Sequence, residues 1–200
     1  MKRVAVLASG RGSNLAALLR AQADYPSYRV VLVVSNVEDS GALTLARDAS
    51  VEAVCVPSRG VARDDHERAL VTLLASRSVE LVCLAGYLRV LTPVFIEGLG
   101  CPILNIHPSL LPAFPGMHAQ KQAIDAGVRW SGATVHLVDA GLDTGPIVLQ
   151  EPVQVDTDDT EDTLAARILE TEHRLYPRAA DIVARGAYEV LGRKVRLLLT

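Results

Sequence analysis

Residues 3–14 read Arg3-Val4-Ala5-Val6-Leu7-Ala8-Ser9-Gly10-Arg11-Gly12-Ser13-Asn14. Residues 3–8 make a short apolar strand, a glycine loop follows, and Leu15, Leu18 and Leu19 then recur at helical spacing. Strand, glycine loop and helix N-terminus in that order open a parallel α/β unit and form a layout suited to an anion. The glycines let the backbone come close, the first helical turn has free N–H groups, and Ser13 and Asn14 add side-chain donors. A dinucleotide fingerprint needs glycine where Leu15 stands, and a triphosphate loop needs a lysine that is missing. The loop therefore suits a single phosphate. Alone, it also fits a tight turn with a Ser or Asn cap.

The same alternation continues outward. Residues 29–36, 52–56 and 81–85 are nearly continuous apolar runs. Segments 41–49 and 63–76 between them are helical, the second with Leu70, Val71, Leu73 and Leu74 facing inward. This predicts a doubly wound, mostly parallel sheet with helices on both faces. Such sheets bind ligands beyond the carboxyl ends of their strands. The 10–14, 86–91 and 105–112 loops all follow strands, so they share one edge and one cleft. Further on, 118–126 is a helix, and 132–138 and 147–155 form an antiparallel hairpin around a turn-rich insert. The acidic run 156–162 opens a long helix that keeps its apolar face to about Val183, favourable for its positive N-terminus. The 186–200 tail reads as a small pair of strands. No repeat or linker interrupts residues 1–200, which are expected to form one domain.

The bulk numbers narrow the class. Hydrophobic residues are 50%, charged residues 22%, and the net charge is −3. That is a soluble globular profile without a basic footprint for nucleic acid. No apolar run reaches the ~18 residues of a membrane span. Met1-Lys2-Arg3 and the apolar run after it resemble a signal peptide, but the run stops at Ser9-Gly10 and reads as a strand. Cys55, Cys83 and Cys101 lack metal-site spacing, and the first two sit in apolar settings, so buried reduced thiols are expected. A cytoplasmic protein without metal or membrane partner follows, either a monomer or a homodimer.

Asn105-Ile106-His107-Pro108-Ser109-Leu110-Leu111-Pro112 carries the chemistry. Its prolines, with Pro115, argue against helix and against a central strand. At a strand tip Asn105 and His107, two apart, point to the same side. An amide and an imidazole side by side suit a polarised carbonyl oxygen, and the imidazole can also move a proton. Alone, the stretch also fits a proline-rich connector.

Asn-x-His-Pro-Ser-Leu-Leu-Pro is followed about thirty residues later by Asp139-Ala140-Gly141-Leu142-Asp143-Thr144-Gly145-Pro146. With these two motifs the chain resembles the 10-formyltetrahydrofolate-dependent formyltransferases, in particular the phosphoribosylglycinamide formyltransferase family, from the first glycine loop to Glu172-His173. The resemblance implies a Rossmann-like formyltransferase fold and an Asn105, His107 and Asp143 catalytic set. It implies that Gly12, Ser13 and Asn14 hold the phosphate of the ribosyl substrate and that Glu172 meets its glycinamide end. Arg63, Leu88, Arg89, Val90, Leu91, Asn105, Asp139 and Gly141 are the implied folate-binding positions, with 10-formyltetrahydrofolate as co-substrate. Thr144 stands where some relatives carry glycine, and Leu169 where a polar residue is expected.

In formyl transfer an amine attacks the formyl carbon, an oxyanion forms, and the folate nitrogen leaves with a proton. Asn105 and His107 would face the oxyanion. Asp143 would favour the imidazolium and relay the proton through a water. Alone, Asp143 also fits an Asx turn. His118 and His136 could line the cleft, although a helix-start surface residue and a satisfied core histidine fit them as well; His66 and His173 read as structural. Methionyl-tRNA formyltransferases and formyltetrahydrofolate hydrolases or dehydrogenases share the Asn–His–Asp core. They normally carry an added domain, for which 200 residues leave no room. A silent nucleotide-binding module is the alternative from another class.

Overall fold

Apolar runs and amphipathic segments alternate along the first half of the chain as strands and helices. β1 (Lys2–Leu7), β2 (Tyr28–Ser35), β3 (Glu52–Cys55), β4 (Leu81–Leu84) and β5 (Ile103–His107) are interleaved with α1 (Ser13–Arg20), α2 (Gly41–Asp48), α3 (Arg63–Ser76) and α4 (Pro93–Leu99). A short α5 (Ala119–Asp125) precedes β6 (Trp130–Leu137) and β7 (Ile147–Gln154), then the long α6 (Glu161–Arg185) and the pair β8 (Tyr188–Leu191) and β9 (Lys194–Leu197). The structure, a computed structural model, describes residues 1–198. The expected strand pair in the tail is present, and its last two positions lie outside the described residues.

Among the described residues the strands form one sheet in the order β3-β2-β1-β4-β5-β6-β7-β9-β8. The first five are parallel, and β6 runs antiparallel to both β5 and β7. The order reverses between β1 and β4, and there the crevice of a doubly wound sheet opens. The alternation over Val4–Leu7 of β1 shows why that stretch is continuously apolar. Val4 and Val6 join the core shared with Leu15 and Leu18 of α1 and Ile168 and Tyr176 of α6. Ala5 and Leu7 join the opposite core with Leu70 and Leu74 of α3 and Phe95 of α4. Both faces are covered, so every position must be apolar.

Two tertiary devices set up the cleft. The side chains of Thr160 and Thr163 form a capping box that starts α6. One face of α6 is then locked to the sheet by Tyr176, whose hydroxyl reaches the carbonyls of Leu84 and Leu104 at 2.9 and 3.1 Å. Glu172, one turn earlier, consequently points at the strand ends.

The structure corrects the sequence reading in three places. β5 is a central strand and Asn105-Ile106-His107 are its last residues, paired with β6 as far as His107 and Thr134. The ladder ends where Pro108 supplies no N–H, so the prolines limit the strand without excluding it. Helix α4 was not foreseen. Pro93 stands at its first position, where the missing N–H costs nothing, and Thr92 caps it. Among the cysteines, all free, Cys83 is buried whereas Cys55 and Cys101 are half-buried.

Candidate active site

Beyond the carboxyl ends of β4 and β5 lies a cavity of about 440 Å³. Asn105 and His107, two apart on β5, both line it, and the 139–143 loop closes one side. The antiparallel pairing of β6 sets His136 directly opposite Asn105. Asn105 Nδ2 and His136 Nε2 are 3.2 Å apart, and His136 Nδ1 is 2.9 Å from the Leu137 carbonyl. A carbonyl can only accept, so Nδ1 carries the His136 proton and Nε2 accepts from the Asn105 amide. The second Asn105 N–H is left for the cavity.

The same logic assigns His107. Its Nε2 donates to the Phe114 carbonyl at 2.9 Å, and its Nδ1 lies 3.4 Å from Asp143 Oδ2. That oxygen also accepts the Gly116 N–H at 2.8 Å, while Oδ1 is 3.7 Å from His136 Nε2. Asp143 adopts φ of 52°. Two residues later Gly145 passes so close to Leu137 that an added Cβ would stand 1.7 Å from its carbonyl oxygen. Burial pushes the Asp143 carboxyl up, but the adjacent His136 imidazole, the Gly116 N–H and the neighbouring His107 outweigh it. The carboxyl is held below its ordinary range. Asp143 is therefore an ionised group fixed between two imidazoles. The Asx turn in this loop belongs to Asp139, whose Oδ1 accepts from Gly141 N at 3.0 Å and Thr144 Oγ1 at 2.7 Å.

The first glycine loop borders the other end. Gly12 has φ of 85° and starts α1 without a side-chain cap. A Cβ there would lie 2.9 Å from Ala42 Cα, so only glycine fits. The Asn14 amide, expected near a phosphate, instead donates to Glu172 Oε2 at 2.7 Å. Both side chains are buried and line the cavity. Burial raises the Glu172 carboxyl above its ordinary range, opposed in part by Asn14. Gly12 and Ser13 adjoin the cavity through Asn14 without lining it.

The segment after β4 forms a third wall. Leu88 and Val90 are 70% and 53% exposed, while Leu91 is buried in the α3–α4 core. Leu88 N donates to Ser9 Oγ at 3.0 Å, joining this wall to the glycine loop. Met117 and Leu142, also exposed, add apolar surface across the mouth. Arg63 is exposed at the start of α3, outside the lining. His118 lines the rim, its Nδ1 3.4 Å from Glu161 Oε1. His136, which reads in the sequence as a satisfied core histidine rather than a cleft residue, is both satisfied and at the centre of the site. The alternation of β6 and its antiparallel turn toward β5 were the signals that could have found it. Among the described residues no group of three or more His, Cys, Asp or Glu could hold a metal ion. No helix there is long and apolar enough to cross a membrane.

Comparison with known proteins agrees with this geometry. Residues 2–180 match the family described as Formyl transferase. The phosphoribosylglycinamide formyltransferase of Mycobacterium tuberculosis is 45% identical over 193 residues, covering 96% of this chain and 89% of that one. The trifunctional purine biosynthetic protein adenosine-3 of Drosophila melanogaster is 44% identical over 189 residues, covering 92% of this chain. The chain spans only 14% of the length of that relative. The crystal structure of glycinamide ribonucleotide transformylase 1 from Symbiobacterium toebii superposes with a TM-score of 0.96 at 45% identity, covering 99% of this chain and 94% of that one. The two linked motifs, the sheet that turns antiparallel after β5 and the matched length together show that this chain belongs to the formyl transferase family.

Proposed function

We propose that the chain transfers a formyl group from 10-formyltetrahydrofolate to the amine of 5-phosphoribosylglycinamide. The observation that carries this reading is one cavity lined by Asn105, His107 and Asp143 and, across it, by the buried Glu172. A buried carboxylate is a ready acceptor for an amine N–H. In this reading Glu172 orients the attacking amine, and the 12–14 backbone binds the phosphate through free N–H groups at the start of α1. Leu88 and Val90 offer apolar surface to the flat pterin, and the backbone of the 88–91 and 139–141 segments offers polar partners. Arg63 and Arg89 belong to the folate end.

Attack of the amine on the formyl carbon forms a tetrahedral oxyanion. The free N–H of Asn105 and the Nδ1 side of His107 face it, and one such donor is typically worth about 10²–10³ in rate. Asp143 supports the charge on His107 and carries the proton from the amine to the departing folate nitrogen. Close restraint of His107 and Asp143 by backbone atoms and of Asn105 by His136 favours this assignment, because preorganised dipoles need no rearrangement as charge develops.

The test is a spectrophotometric assay with a 10-formylfolate donor, with and without glycinamide ribonucleotide. Deformylation that requires the ribonucleotide is expected. Deformylation without it would make the chain a hydrolase. Folate binding without turnover would point to another acceptor or a silent module.

A further inference from the structure

Two buried polar side chains outside the cavity are aimed at the ends of its third wall. His66 and Glu67 are neighbours on α3 and are 2% and 1% exposed. His66 Nε2 lies 2.9 Å from the Tyr87 hydroxyl. Glu67 Oε1 accepts the Thr92 N–H at 3.0 Å, and Glu67 Oε2 accepts from the Thr92 hydroxyl. Thr92 Oγ1 in turn accepts the Val94 N–H at 3.3 Å as the cap of α4. Tyr87 and Thr92 bracket the segment that exposes Leu88 and Val90.

That bracketed segment has no regular secondary structure. An irregular stretch with open apolar side chains samples many conformations unless its ends are held. Burying a carboxylate is costly, and an apolar residue of similar volume would stabilise a core at least as well. Packing therefore does not call for Glu67. Its hydrogen bonds go to the backbone and hydroxyl of the residue that ends the wall. Its neighbour His66 holds the residue that begins it.

We infer that His66 and Glu67 are positioning residues that hold segment 87–92 in its binding shape before a folate ligand arrives. The inference rests on the reading of that segment as the folate wall. A preformed wall spares the ligand the ordering cost that a loose loop would impose.

The experiment uses the full chain with Glu67→Ala, Glu67→Gln and Tyr87→Phe. Three quantities are read: amide exchange of the 87–92 segment by mass spectrometry, the Kd of a dideazafolate, and the KM of the ribonucleotide. Glu67→Ala is expected to speed exchange and weaken the dideazafolate by about tenfold each, as for loss of a buried charged acceptor, with the ribonucleotide KM within about twofold. Glu67→Gln recovers part of both effects, because its amide oxygen still accepts the Thr92 N–H. Tyr87→Phe gives a smaller change in the same direction by removing only the partner of His66. Unchanged exchange in Glu67→Ala overturns the clamp. Faster exchange with unchanged dideazafolate affinity overturns its role in binding, and equal loss of both substrates reduces Glu67 to a general structural residue. A wild-type chain that binds no dideazafolate, but still loses protection on Glu67→Ala, overturns the folate reading and with it the ligand half of the inference.

Discussion

The two ends of the cleft are built in opposite ways. At the acid–base end His107 is tied to the Phe114 backbone, His136 to Leu137 and Asp143 to Gly116, and Asn105 is held by His136. At the glycine-loop end α1 starts at Gly12 with no side-chain cap. The difference follows from what each end handles. Proton transfer needs side chains held to a fraction of an ångström, so the fold over-determines them. An anion needs a row of N–H groups and room to approach, so the fold removes side chains there.

Asp143→Asn breaks the first end with the largest expected effect. The amide keeps an oxygen for the Gly116 N–H, so the fold survives, but the ionised partner of His107 is gone. Turnover should fall by about 10²–10⁴, as for loss of a general acid–base group, with an unchanged far-ultraviolet spectrum. A fall under fivefold in a steady-state assay would make Asp143 a loop-closing residue only. Gly12→Ala attacks the second end. The left-handed backbone and the contact with Ala42 should cost about 1–3 kcal/mol of stability, read in a urea titration. The ribonucleotide KM should rise by about tenfold or more while the folate KM stays near wild type.

Glu172→Gln sharpens the comparison, because Glu172 spans both ends. Its folded carboxyl is raised, so its favourable contribution is fully present below the ordinary value of 4.5 and is lost as pH climbs through the folded value. The substitution removes that dependence. The variant's melting temperature should gain on wild type between pH 5 and pH 8, by a few degrees for about 1 kcal/mol, while ribonucleotide binding weakens. A constant difference across that range would mean that burial does not raise the Glu172 carboxyl. Ser9→Ala gives the smallest effect. It removes the hydroxyl between Leu88 N and Asn36, linking the glycine loop to the folate wall. A partly exposed bond of this kind is worth about 0.5–1.5 kcal/mol, so both KM values should rise a few-fold together. A rise in one alone would show that the two walls are independent.

Much of this design could be read along the chain. The alternation of apolar runs and helices announces the doubly wound sheet, and α3 is found at its observed bounds, Arg63–Ser76. The Asn–His spacing and the aspartate loop announce a shared site. Other features had no local signal. Helix α4 is seven residues long and mostly covers one core, too short for a helical period to register. The Asn14–Glu172 bond joins residues 158 positions apart. His136 in an apolar strand reads as core until its partner strand is known, and no motif singles out Glu67.

The sequence by itself determined the order of the longer strands and helices and of the glycine turns, because burial on one or both faces imposes a repeating pattern on nearby residues. It also determined which residue types are available at the strand ends. Only the tertiary structure decided which atoms meet: that Nδ1 of His107 faces Asp143, that His136 orients Asn105, and that Asn14 turns to Glu172. Those contacts join distant segments through the crossing of a parallel sheet into an antiparallel hairpin, and no local period encodes a distance across the fold.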